Sequence, residues 1–183
     1  MPGLSESEVA SAIAGEPEGL RRVYDVLAPR LVSYLRARGS EDPEGLTQDV
    51  FVSLLPRLCR LHGGVEGLRT LAFSLAHARL VDEIRRRAKR PATQRFEASF
   101  DPRSTASAEE DALGNVDGAQ LYALLSELSA DQRTVVALRV VGQLSLEETA
   151  EVVGKSIGAV KQLQRRGLLA LRAAVQAREG VTR

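Results

Sequence analysis

The sequence predicts an all-α protein, two small helical domains joined by a flexible acidic linker, the second carrying a helix-turn-helix. Three observations predict it. Apolar residues recur at three- and four-residue steps along most of the 183 residues, and no stretch alternates as a strand would. That period stops over residues 91–118, PATQRFEASFDPRSTASAEEDALGNVDG, which are small, polar and acidic. Beyond it, Leu144 to Arg172 reads as two short amphipathic helices across a tight turn. The boundaries expected are therefore 1–90, a linker at 91–118, and 119–183.

In the helix-turn-helix, Ser145 and Glu148 have capping-box spacing, so the first helix starts at about Leu146. Ala150 and Val153 face inward, and Gly154 suits the helix end because it takes positive φ without a Cβ clash. Ser156 can cap a second helix whose stripe Val160, Leu163, Leu168, Leu171 and Val175 points inward. The opposite face presents Lys161, Gln162, Arg165 and Arg166. From Lys155 to Arg178 there are six basic residues and no acid, which suits a polyanion. Gly158, early in that helix, costs about 1 kcal/mol against Ala, an expense that fits a backbone approaching something closely, such as a major groove. An ordinary helical hairpin with a solvated basic face is the alternative.

In the first half, residues 5–14 form a short capped helix, and Leu20 to Arg38 a longer one with Pro29 as a possible break. Glu44 to Leu58 follows, with Leu46, Val50, Phe51, Leu54 and Leu55 inward, Gln48 and Asp49 outward, and Pro56 distorting the last turn. Arg60 to Gly67, RLHGGVEG, reads as a loop. Leu68 to Arg90 is a helix with Leu71, Leu75, Ala78 or Arg79, and Val81 in register and an arginine-rich end. Asp82 and Glu83 point in different directions, so ion pairing with Arg79, Arg86 or Arg87 is expected rather than catalysis. Ala119 to Glu127 and Asp131 to Val141 complete the second domain.

Composition excludes several classes. No apolar run approaches the roughly 20 residues that span a bilayer, and the N-terminus is polar, so a cytoplasmic protein without membrane insertion is expected. Cys59 is alone, and with only His62 and His77 beside it no metal set or cofactor is expected. No nucleophile set or phosphate loop points to an enzyme. The net charge of +1 hides a segregation: residues 79–95 hold seven basic against two acidic side chains, residues 96–118 one against six. Two basic blocks imply two polyanion-binding surfaces. The linker, fully extended, reaches up to about 90 Å, or about 25 base pairs of DNA.

Three segments in order resemble the extracytoplasmic-function group of bacterial sigma factors. Leu46-Thr47-Gln48-Asp49-Val50-Phe51 is similar to the family's helix for core RNA polymerase, implying contacts by Leu46, Gln48, Asp49 and Phe51. Residues 68–90 resemble its promoter-melting and minus-ten helix, implying DNA contacts by Arg79, Arg85, Arg86 and Arg87. Residues 125–172 resemble the domain that meets the polymerase flap and reads the minus-thirty-five element, implying DNA contacts by Ser156, Lys161, Gln162, Arg165 and Arg166. The partners implied are core RNA polymerase, promoter DNA and an anti-sigma factor. The sequence departs from the pattern at Leu71, where Trp is frequent, and at Ala78, where Asn is frequent; RLHGGVEG, in the place that holds a flipped base, offers no aromatic ring. Two rival readings are a response-regulator-like transcription factor and a helical adaptor or anti-sigma-type protein that does not bind DNA. The first lacks a strand pattern and any Lys before Lys89.

Overall fold

The structure, a computed structural model, describes residues 3–89 and 118–181. Among them are eight α-helices and no strand. The expected linker lies outside the described residues except for Gly118, the first residue of its helix.

Ser5 caps α1 (Glu6–Ile13) in a capping box with Glu8. α2 runs Pro17–Ala37, three residues earlier than the periodicity implied, because Pro17 sits in the first turn, where no backbone donor is needed. Pro29 does not break it. The donor that Pro29 lacks would have met the Asp25 carbonyl, and Asp25 is on the solvent side, where water can serve that oxygen. Asp42 caps α3 (Pro43–Leu54) by accepting from the Gly45 amide at 2.8 Å. At Pro56 the chain tightens into a 3-10 segment, Leu55–Arg60, which turns Leu55 out to 44% exposure. That position was expected inside.

α4 (Gly64–Lys89) starts four residues before the expected Leu68, inside the glycine loop. The glycines have steric reasons. Gly63 and Gly64 have φ of +84° and +56°, and a Cβ on Gly64 would strike the Glu6 carboxylate, which accepts from the Val65 amide at 3.2 Å and so caps α4 from α1. The buried line of α4 is Leu68, Ala72, Phe73, Ala76 and Leu80, with Leu71 and Leu75 half-buried and Ala78 and Arg79 exposed. The face is therefore rotated from the expected one.

In the second half, α5 (Gly118–Ser126) leads to α6 (Ala130–Val140), capped by a Ser129 and Gln132 capping box. Arg133 ties them together, donating to the carbonyls of Leu125, Ser126 and Leu128 at 2.9, 3.0 and 3.2 Å. α7 (Leu146–Val153) and α8 (Ile157–Val181) form the helix-turn-helix. The two halves pack together. Leu125, Leu128, Val136, Ala137, Leu138 and Leu144 join the same buried cluster as Phe73, Tyr34 and the rest of the first-half core.

Candidate nucleic-acid interface

The turn between α7 and α8 is built from local rules. Ser145 accepts from the Glu148 amide at 3.1 Å while the Glu148 carboxylate accepts from the Ser145 amide, and Gly154 ends α7 at φ +64°. Ser156 then accepts from the Ala159 amide at 3.2 Å and caps α8. Val160, fully buried against Val135 and Ala150, anchors α8. A second anchor was not anticipated: Gly167 lies against α6, where a Cβ would come within 2.8 Å of Val136. Only a bare backbone permits that crossing.

Because Val160 and Gly167 claim the inner side, Lys161, Gln162, Arg165 and Arg166 are all exposed, as is Ser156. Nothing lies within 4 Å of where a Cβ on Gly158 would be, so that backbone is open to a ligand. Lys155, counted with this basic block, is held by Asp131 at 3.1 Å. Two stripe residues depart from expectation: Leu168 and Val175 are 44% and 38% exposed. Val175 lines an apolar groove of about 340 Å³, between α5 and α8, together with Leu124, Leu125 and Leu171.

The arginines of α4 are not equivalent. Arg79 and Arg86, seven residues apart, share one face, and Arg85 lies beside Asp82 at 3.9 Å. Arg79 donates to the Ser53 hydroxyl at 2.9 Å. Arg87 donates to the Gly39 carbonyl at 3.2 Å and sits 3.6 Å from Glu41. The expected partners of Glu83 are replaced: it accepts from the Ser40 hydroxyl and the Glu41 amide at 2.8 and 2.7 Å, pinning the α2–α3 loop. In the interior behind this loop, burial drives the Tyr34 phenol up to about 12 and holds the His77 imidazole below its usual value. The phenol oxygen and His77 Nδ1 share a hydrogen bond at 3.1 Å.

On α3, Gln48 and Asp49 are exposed as expected. Leu46 and Phe51 are buried, at 8% and 5%, on the inner side of the helix. Three exposed apolar residues were not anticipated from the sequence: Val52 and Leu55 continue the line of Gln48 and are 73% and 44% exposed, and Tyr24, 48% exposed, packs on Phe51 with ring centroids 4.7 Å apart. An apolar patch beside a polar one is the form of a protein-docking face.

A further cavity of about 690 Å³ lies where the halves meet, lined by Arg57, Arg60, His62, Leu71, Ser74 and Glu148 among others. Among the described residues no group of three or more His, Cys, Asp or Glu is placed to hold a metal ion, and no helix is long and apolar enough to cross a membrane.

An all-α chain ending in a capped helix-turn-helix with an exposed cationic face is a DNA-binding protein by class. Residues 124–173 match the family model described as sigma-70, region 4. The chain is 31% identical over 179 residues to the ECF RNA polymerase sigma factor SigD of Mycobacterium tuberculosis, covering 91% of this chain and 82% of that protein. It is 30% identical to the ECF RNA polymerase sigma factor ShbA of Streptomyces griseus, covering 90% and 92%. This chain belongs to the extracytoplasmic-function family of RNA polymerase sigma factors. Its fold is similar to that of CnrH, solved with the cytosolic domain of CnrY, at a TM-score of 0.67 and 21% identity over 94% of this chain and 97% of that one. The sigma factor RpoE of Bartonella quintana, solved with the anti-sigma factor NepR, matches at the same TM-score and identity over 86% and 96%.

Proposed function

We propose that the chain is an alternative sigma factor that binds core RNA polymerase and directs promoter-specific initiation, acting by binding rather than catalysis, in the cytoplasm. Residues 1–90 melt and read the minus-ten element, and residues 119–183 read the minus-thirty-five element. The observation that carries the reading is the quartet Lys161, Gln162, Arg165 and Arg166, exposed together on a helix whose inner side is fixed by Val160 and Gly167. Arg165 or Gln162 reads base edges, while Lys161, Arg166 and Ser156 set the register on phosphates. On α4, Arg79, Arg85, Arg86 and Arg87 line the groove for the melted strand; of these, Arg87 first has to leave Gly39 and Glu41.

Gln48 and Asp49, extended by Val52, Leu55 and Tyr24, meet the polymerase clamp, and the groove between α5 and α8 takes the polymerase flap. An anti-sigma factor is a further partner, as it is for RpoE.

The test is run-off transcription by holoenzyme on genomic fragments, with Gln162→Ala, Arg165→Ala and Arg166→Ala compared on matched and scrambled upstream elements over a salt series. Loss of a base-reading contact costs about 1 to 3 kcal/mol of discrimination, whereas loss of a phosphate contact weakens all sequences alike and lowers the salt slope by about one. Parent-like behaviour of all three variants returns this face to being a solvated surface.

A further inference from the structure

The cavity of about 690 Å³ carries opposite charges that do not meet one another. Arg57 and Arg60 come from the 3-10 segment, where residues three apart eclipse, so both guanidiniums leave it on the same side. Among the described residues neither forms an ion pair or a side-chain hydrogen bond. Of the three acids on the wall, Glu148 is already committed: it accepts from Arg69 at 2.9 Å, from the Thr70 hydroxyl at 3.2 Å and from the Ser145 amide of its own capping box. Glu66 and Glu151 are exposed, and their carboxylates have no partner among the described residues. Cations and anions that share one cavity yet stay unpaired leave a space that a ligand charged at one end and donating at the other completes.

The two ends specify the ligand. Guanidiniums match phosphate oxygens in charge and in fork geometry, and two of them on one side suit a group with more than one negative charge. A carboxylate only accepts, so the other end of the ligand has to show it donors with no acceptor alongside. Among the common nucleobases guanine does this, with its N1–H beside its N2 amino group. Adenine and cytosine set a donor beside an acceptor, and thymine and uracil set a single N–H between two carbonyls. Leu71, half-buried on the α4 wall, offers an apolar surface for a flat base. The volume falls in the range of about 300 to 1,000 Å³ usual for small-molecule sites.

We propose that this cavity binds a free guanine nucleotide with two or more phosphates, held by its phosphates on Arg57 and Arg60 and by its base edge on Glu151. Glu151 is the acid that fits because it stands on α7, in the other half from the arginines, so a ligand that spans the cavity meets it; Glu66 follows Arg60 closely in the same half. The site goes beyond the sigma-factor reading and does not rest on it. A single strand of DNA carries the same base and phosphate groups, and the experiment separates the two sources.

The full chain is titrated calorimetrically with GDP, ADP and inorganic pyrophosphate. GDP binds once per chain, and ADP binds about 5- to 150-fold more weakly, the discrimination of one bidentate base contact. Arg57→Ala and Arg60→Ala weaken both nucleotides alike. Glu151→Gln removes the preference for GDP, because an amide can turn a donor or an acceptor to the base and so serves either purine. All three sites are exposed, so the variants keep the helix content of the parent. The proposal is overturned by absence of GDP binding, by equal affinity for GDP and ADP, by pyrophosphate binding as tightly as GDP, or by a preference lost in Glu66→Gln and kept in Glu151→Gln. An oligothymidine strand with one central guanine is the last arm: if the arginine variants weaken this strand while GDP does not bind, the cavity takes DNA and the free-nucleotide proposal falls. Should a variant lose helix content, the melting midpoint of the parent decides, a greater rise with GDP than with ADP supporting the site and an equal one overturning it. Core polymerase binding, measured separately, reports on the sigma-factor reading.

Discussion

Phe73→Ala probes whether the two halves are one folding unit. The ring is wholly buried, stacks edge-on against Tyr34 with centroids 5.5 Å apart, and faces Gly142 across the seam. Its removal forfeits the burial of a large aromatic and leaves a cavity that neither α2 nor the α6–α7 connection can close, since both are fixed elsewhere by their own packing. Such truncations cost about 3 to 5 kcal/mol, to which the lost aromatic pair contributes about 0.5 to 1.5. For a chain of this size each kcal/mol lowers the melting midpoint by roughly 2 to 4 °C, so a drop of about 6 to 20 °C is expected. The assay is calorimetry beside circular dichroism, with Val52→Ala, at a 73% exposed site, as the control expected to stay within about 0.5 kcal/mol of the parent. A parent that melts in two separate steps, or a Phe73→Ala loss below about 1 kcal/mol, refutes the shared core.

Asp49→Arg should weaken holoenzyme assembly, read by native gel shift with core polymerase, while leaving the helical dichroism unchanged, because Asp49 is exposed on α3. Gly167→Ala and Gly158→Ala should move stability in opposite directions. The first gains about 1 kcal/mol of helix propensity but drives a Cβ to 2.8 Å from Val136, a stiff β-branched neighbour, for a net loss of about 1 to 2 kcal/mol; the second meets nothing and should gain up to about 1 kcal/mol, as denaturant midpoints will report. Burial raises the Glu148 carboxyl, but the bonds from the Ser145 amide, Arg69 and Thr70 outweigh it and hold the group below its ordinary value. A carboxylate with a depressed folded value stabilises above its unfolded pKa, about 4.3, and loses that contribution as pH falls through the folded value. The stability gap between the parent and Glu148→Gln should therefore be full above about pH 5 and close in more acidic solution, and a gap independent of pH would refute the role of charge.

What the sequence determined by itself is what depends on neighbours along the chain. The capping box at Ser145 and the left-handed Gly154 involve residues within a turn of one another, so their letters state their geometry. So does the outward quartet on α8, since Val160 claims the opposite side. What only the tertiary structure decided involves residues far apart in the chain. Gly64 makes way for Glu6, Gly167 for Val136, and Glu83 pins Ser40 and Glu41; no period in the letters marks such pairs. The inward face of α4 was misplaced because its buried line is set by everything that packs on the helix, and Phe73 meets the second half at Gly142 as well as Tyr34 of the first. The same cause joins the buried residues of the two halves into one cluster: burial is summed over every surface a helix meets, and a one-dimensional pattern shows only that a face is apolar, never whose apolar face completes it.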